Sequence, residues 1–197
     1  MNDDNAALNA PINASAKDKL QKGKVARLAI ARLGLLEGAL TRIDYRDTYG
    51  RVFSIDKDAS LHSVLGVLFQ SPDWVLFLLR LRDCIVRPFG LKTADEIEGE
   101  TQDKSLDAPF HILAESPDGC EMLMGEDDKH LNFRVIIRRE PFSTDAENTS
   151  SLITISTAVT LHNGFGRLYF FIIKPFHRLI VASLLRSRPF HLNGKKD

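Results

Sequence analysis

Hydrophobic positions in the last third of the chain fall into two successive rhythms. From Ser151 to His162 they alternate, with Ile153, Ile155, Val159 and Leu161 on one side of an extended segment. After a break at Asn163-Gly164, Gly166–Arg188 reads as one long apolar helix. The same period of two predicts a first strand over Tyr45–Asp56, with Tyr45, Asp47, Tyr49, Arg51, Phe53 and Ile55 sharing a face. A third strand is expected over Leu131–Arg139, with Leu131, Phe133, Val135 and Ile137 inward. Phe110–Glu115 and Cys120–Met124 flank Ser116-Pro117-Asp118-Gly119, a sequence suited to a hairpin turn.

Helical patterns separate the first strand from the rest. Ser60–Phe69 is expected as a short helix capped by Ser60, followed by a second over Trp74–Val86 that stops before Pro88. Lys92–Ala108 and Pro141–Ser150 are polar and read as loops. Residues 1–15 read as a disordered tail, as do 191–197. Lys17–Leu40 reads as a helix carrying Leu20, Leu28, Leu33 and Leu36, weakened by Gly23, Gly34 and Gly38. It either packs on the body of the protein or docks on a partner. Strand, two helices, several strands and a closing helix make an α+β domain over 41–190, preceded by an extension over 1–40. This is the order expected when a curved antiparallel sheet grips a long C-terminal helix around a cavity.

Composition narrows the function classes. A chain of 197 residues suits one domain. Lys plus Arg and Asp plus Glu number 26 each, so a strongly basic nucleic-acid-binding surface is not expected. Cys84 and Cys120 lack metal or CxxC spacing and read as free thiols. With no secretory leader recognisable at the start, a cytoplasmic location is expected. Leu168–Leu185 has the length of a membrane span, but Lys174, Pro175, His177 and Arg178 at its centre argue against an integral segment.

Four strings carry a resemblance: DYRDTY at Asp44–Tyr49, LRDCIVRPFGLK at Leu81–Lys92, GEDDKHLNFRV at Gly125–Val135 and TAVTLHNGFGRLYFFIIKPFHRLIV at Thr157–Val181. On these the chain resembles the bacterial domain-of-unknown-function family 2867. More broadly it looks like the helix-grip (SRPBCC) superfamily of START-domain lipid carriers, polyketide cyclases and plant allergen-like proteins. The resemblance spans Asp44 to about Arg188 and leaves 1–40 outside. It implies a bent antiparallel sheet around the C-terminal helix, two short helices after the first strand, and an apolar tunnel between sheet and helix. No established activity comes with the family.

The expected ligand is a small hydrophobic or amphipathic molecule, with no cofactor or metal required and with homo-oligomers an open option. Asp47 and Tyr49 are candidate anchors on the inward face of the first strand, and Arg51 or a helix arginine is a candidate partner for Asp47; Asp47 equally suits a solvated rim. Thr157 is the polar exception on the inward face of the last strand, although a threonine there often satisfies itself. On the helix, Arg167, Tyr169 and His177 are candidates to reach the sheet, the alternative being a solvated stripe shared with Lys174 and Arg178. Trp74 is a candidate gate at the cavity mouth, or simply core. Asp127, Asp128, His130 and His162 come near one another if the last two strands pair, but alternation turns the histidines outward, which favours a rim hydrogen-bond cluster over a metal site. No GxSxG, Walker, HExxH or GxGxxG motif is present. A cyclase- or hydrolase-like enzyme using Asp47 and His177 is the second reading, and an interaction module using the N-terminal helix is the third. The container reading loses its basis if Phe53, Phe133, Phe170 and Ile173 fill the space between sheet and helix.

Overall fold

The last strand organises the molecule because it is central and buried on both sides. The computed structural model describes residues 14–29, 34–55, 59–69, 110–145 and 148–186. Strands β1 (Ala26–Arg27), β2 (Tyr45–Ser54), β3 (Ile112–Glu115), β4 (Glu121–Asp127), β5 (Leu131–Asp145) and β6 (Asn148–Leu161) form one antiparallel sheet in the order β1-β2-β6-β5-β4-β3. Among the described residues the α-helices are α1 (Ala14–Gln21), α2 (Leu61–Leu68) and α3 (Gly164–Arg186). The α+β class and the sheet-plus-long-helix arrangement agree with the sequence reading. The expected helix over Trp74–Val86 and the loop over Lys92–Ala108 lie outside the described residues.

The front face of the sheet carries α2 and α3. Ser60 caps α2 by accepting the Ser63 amide at 3.2 Å, and Leu61, Val64, Leu65 and Leu68 bury one side of the helix. They pack with Phe53, Met122, Met124, Ile137, Ile153 and Ile155, and with Val181 and Leu185 of α3. A second front cluster joins Leu131, Val159, Leu161 and Tyr169 with Tyr45, Phe133, Phe165, Phe170 and Ile173. Asn163 begins α3, its side-chain carbonyl accepting the Gly166 amide at 2.9 Å. Gly166 is required by close approach, since a Cβ there would sit 2.2 Å from the His130 carbonyl oxygen. At the other end of α3, Arg51 donates to the carbonyls of Leu185 (2.8 Å) and Arg186 (3.0 Å), and to that of Gly23 at 2.9 Å. Arg51 thus satisfies helix-end acceptors that the helix itself leaves open.

The back face departs from expectation. The helix predicted over Lys17–Leu40 ends at Gln21, and the chain then turns at Gly23 (φ 62°) and adds β1 to the sheet edge. A 3₁₀ turn follows at Gly34–Leu36, with Gly34 at φ 50° and Gly38 at φ 75°. The glycines that weakened the helical pattern are its turn points, because positive φ is open to glycine without penalty. Ala16, Leu20 and Ala26 pack on Leu152, Val52 and Phe142. Leu36, with Leu35 and Leu40 around it, packs on Leu123, Ile136 and Ala158. The buried side of α1 therefore covers the sheet and is not free to dock on a partner.

Two further boundaries move. Pro141–Ser150, read as a loop, is largely strand: β5 and β6 continue to the pair Asp145–Asn148, with an irregularity between Pro141 and Ser143. The hairpin at Ser116–Gly119 forms as expected, with Gly119 at φ 65° and Asp118 accepting the Cys120 amide at 3.0 Å.

Candidate functional site

Register decides which polar side chains meet on the front face. Asp47 of β2 pairs with Thr157 of β6, which pairs on its other side with Val135 of β5. The next row towards α2 is Tyr49, Ile155 and Ile137, and the row on the opposite side is Tyr45, Val159 and Phe133. Asp47 and Thr157 therefore lie between the two apolar clusters. The helix matches this division, with Tyr169, Phe170 and Ile173 in one cluster, Val181 and Leu185 in the other, and His177 and Arg178 between. A polar belt thus crosses an otherwise apolar sheet–helix interface. All four side chains named against the container reading pack in the sheet–helix clusters, Phe53 in one and Phe133, Phe170 and Ile173 in the other, so they take up that space on either side of the Asp47–Thr157 row.

His177 Nε2 lies 3.3 Å from Asp47 Oδ1, and the Tyr45 hydroxyl donates to Oδ2 at 2.5 Å. The Asp47 side chain is fully buried and that of His177 is 20% exposed. Burial by itself raises the Asp47 pKa, but the bonds from His177 and Tyr45, with the charge of Arg27, outweigh it and hold the carboxyl below its ordinary value. An ionised Asp47 can only accept, so His177 Nε2 is the donor and the ring is oriented by the pair. Burial and the bond to Asp47 push Tyr45 up to about 12, which keeps its phenol protonated as the second donor. Burial first, and then the Asp47 charge, also raises Tyr49. Around this core, the Tyr45 ring meets Phe170 at 4.8 Å and His177 edge-on at 6.4 Å, and Lys174 Nζ stands 4.8 Å over its face. The charge of Arg178 acts on the Tyr45 hydroxyl from the helix side.

Two buried polar atoms of the belt have no hydrogen-bond partner among the described residues: Thr157 Oγ1 and Arg178 Nε. Strands favour threonine whatever its role, but this hydroxyl does not satisfy itself. Such atoms are uncommon, and leaving one unpaired costs about 1–3 kcal/mol.

Among the sequence candidates, Asp47, Thr157 and His177 come together, with Tyr49 in the adjacent row. Arg51 is not the partner of Asp47, because it is drawn to the carbonyls at the end of α3. Tyr169 is buried in the second apolar cluster, beyond the belt. Arg167 is exposed at the start of α3, where its charge acts on Asp44. Trp74 lies outside the described residues. Residues of the supposed metal cluster form rim hydrogen bonds: His162 Nε2 with Asn132 Oδ1 at 2.9 Å, and the His130 ring with the Asn163 amide group at 3.0 Å. Among the described residues no three His, Cys, Asp or Glu side chains converge as metal ligands.

Tyr45 and Arg178 escaped the sequence reading as site residues. Tyr45 was visible two positions before Asp47 on the same face, whereas Arg178 was indistinguishable from a solvated helix arginine. A second pair, the His111 ring against the Glu126 carboxylate, also went unread. Its only signal was Glu126 following Met122 and Met124 on the buried side of β4.

Sheet, closing helix and belt together define an α+β helix-grip architecture with a buried, partly unsatisfied polar centre. The family model for a protein of unknown function, DUF2867, matches residues 39–184, most of the chain, and the protein belongs to that family. No curated protein and no solved structure matches the chain.

Proposed function

We propose that the protein holds a small hydrophobic or amphipathic molecule between the sheet and α3, with its polar end at the belt. The observation that carries this reading is the Thr157 hydroxyl, buried between two apolar clusters and lacking a partner among the described residues. A ligand oxygen would accept from Thr157 and from Arg178 Nε, relieving two desolvated donors, while the flanking apolar side chains would take the rest of the molecule. The ionised Asp47 beside these donors disfavours a second bare carboxylate, so a carbonyl, hydroxyl or ether oxygen is the better match. The test is native mass spectrometry of freshly purified protein, with solvent extraction of whatever is released, and titration with a fluorescent long-chain alcohol as probe. The expected result is a reproducible adduct of roughly a few hundred daltons, or saturable uptake of the probe, that Thr157→Val weakens. A clean apo mass together with no probe uptake by a folded wild type would rule the reading out.

A second reading is supported by the Asp47–His177 pair. A carboxylate that orients an imidazole is a common arrangement for general acid–base work, so a cyclase- or hydrolase-like reaction on a bound ligand is the alternative. Turnover with a bell-shaped pH profile, abolished by Asp47→Asn in a protein that still takes up the probe, is its expected signature. Turnover that survives both Asp47→Asn and His177→Gln would eliminate it.

A further inference from the structure

The outward side of α3 is the most apolar exposed surface among the described residues. Five large hydrophobic side chains are exposed there or elsewhere: Leu113 at 47%, Leu168 at 59%, Phe171 at 77%, Ile172 at 41% and Leu179 at 56%. Four of the five belong to this one helix. Counted from Leu168, Phe171, Ile172 and Leu179 fall at plus three, plus four and plus eleven, with the exposed Pro175 at plus seven, which places them in a single stripe. The opposite side of α3 is committed to the sheet through Tyr169, Val181, Leu184, Leu185 and the His177–Asp47 contact.

Charge on this helix is one-sided. The chain as a whole is neutral, yet α3 contains Arg167, Lys174, Arg178 and Arg186 and no acidic residue. Arg167, Lys174 and Arg178 are spaced seven and four apart, so they line one margin of the apolar stripe. Arg42, just before β2, is ion-paired with Asp44 at 2.9 Å and adds no free charge to that side. Lys174 lies over the Tyr45 ring, while Arg167 and Arg178 feel the nearby carboxylates of Asp44 and Asp47, which balance this basic margin only in part. By length and composition α3 is apolar enough to cross a membrane. Because its inner side is held by the sheet, the geometry that remains is a helix lying in the plane of the interface.

We propose that the outward face of α3 docks on an anionic lipid bilayer, Phe171, Leu168, Ile172 and Leu179 entering the acyl boundary and the basic margin facing the headgroups. A neutral apolar partner would leave the one-sided charge unused, whereas phosphate headgroups complement it. The proposal needs no molecule between sheet and helix, and Arg178, whose Nε belongs to the belt, is the one residue shared with that reading.

Co-sedimentation of the full chain with phosphatidylglycerol-containing vesicles, compared with pure phosphatidylcholine vesicles, tests it. Binding to the anionic vesicles should exceed binding to the zwitterionic ones by about tenfold, and should fall steeply at about 1 M salt, where charges are screened within about 3 Å. The double variant Phe171→Ser, Leu179→Ser should lose binding while keeping the wild-type unfolding midpoint, because both side chains are exposed. Separately, Phe171→Cys in a Cys84→Ser, Cys120→Ser background should react with an environment-sensitive maleimide and shift to the blue on adding anionic vesicles, while a Leu113→Cys control should not. Equal binding to both vesicle types, or none, would overturn the proposal, as would retention of binding by the double variant. A Phe171→Cys thiol that resists labelling in the free protein would mean that the chain covers this face itself. A concentration-dependent dimer lost in the double variant would assign the face to a second copy, and the lipid proposal would then fall.

Discussion

The two faces of the sheet bury polar groups in different ways. On the back face, Thr48 and Ser156 hydroxyls bond each other at 2.9 Å across β2 and β6. Arg138 Nε lies 2.7 Å from Glu121 Oε1, and Glu121 also accepts the Leu35 amide at 3.1 Å. These contacts stitch the N-terminal segment to the sheet. On the front face, one step along the strands, Thr157 has no such partner among the described residues, and the Asp47–His177 pair stands between two apolar groups, bonded by the hydroxyl of Tyr45, whose ring packs in one of them. The back face also buries Arg138 Nε and Nη2 without a hydrogen bond among the described residues, but this guanidinium is ion-paired with Glu121, whereas Thr157 Oγ1 on the front face lies between two apolar clusters. The two faces of one sheet thus differ in what stands beside their unpaired donors.

Deleting residues 1–40 should break this comparison most severely. It uncovers Leu152, Val52, Leu123 and Ile136 on the back of the sheet, and we expect loss of a cooperative urea transition or aggregation. The single change Leu20→Ala, at a fully buried position, should lower stability by about 2–5 kcal/mol in the same measurement. A deletion variant that unfolds like the wild type would show that the N-terminal segment is not part of the folding unit.

Next in size is His177→Ala. It leaves a buried carboxylate with Tyr45 as its nearest remaining donor, and should cost about 1.5–3 kcal/mol, the range for a hydrogen bond to a charged group. The sign of the pH dependence follows from the depressed pKa of Asp47. Its contribution is complete above the ordinary value of 3.8 and disappears as the pH falls through the lower, folded value. Asp47→Asn should therefore flatten the acid limb of stability against pH, and chemical denaturation below pH 4 (the window set by that 3.8) measures it.

One substitution made on both faces sharpens the contrast. Thr48→Val strands the Ser156 hydroxyl and should destabilise by about 1 kcal/mol. Thr157→Val removes an unpaired buried hydroxyl of nearly the same shape and should be neutral or stabilising by up to about 1 kcal/mol. Equal losses from both would mean that Thr157 is satisfied after all.

The smallest effect is spectroscopic. Of the three tyrosines, Tyr45 should form tyrosinate only at about pH 12, seen as ultraviolet absorbance that Tyr45→Phe abolishes. Because the folded value exceeds the ordinary 10.0, the contribution of Tyr45 is intact below pH 10 and is lost as the pH rises towards 12. A midpoint near 10 for all three tyrosines would argue against the buried bond to Asp47.

Much of the front face was legible in the residues. Period-two alternation put Asp47, Tyr49 and Thr157 inward, and an apolar 3.6-residue rhythm placed α3. Ser60 as a cap and Ser116–Gly119 as a turn followed from local chemistry. The reading failed where local signals are ambiguous. Leucines spaced through Lys17–Leu40 fit a helix, but Gly23, Gly34 and Gly38 break that segment so that it can lie along the sheet. Thr154, Ser156 and Thr160 are buried on the back of β6, which their polar pattern does not announce. Alternation also says nothing about which arginine meets which acid, and so Arg51 was offered to Asp47 although it caps α3.

The sequence by itself determined the class of fold, the inward polarity of β2 and β6, and the amphipathic character of α3, because these depend on side-chain periodicity along a single element. Tertiary structure alone decided that His177 and Tyr45, not Arg51 or Arg167, hold Asp47, that Thr157 lacks a described partner, and that the back of the sheet is covered. Those outcomes depend on strand register and on helix rotation against the sheet, where a shift of one residue exchanges one set of neighbours for another.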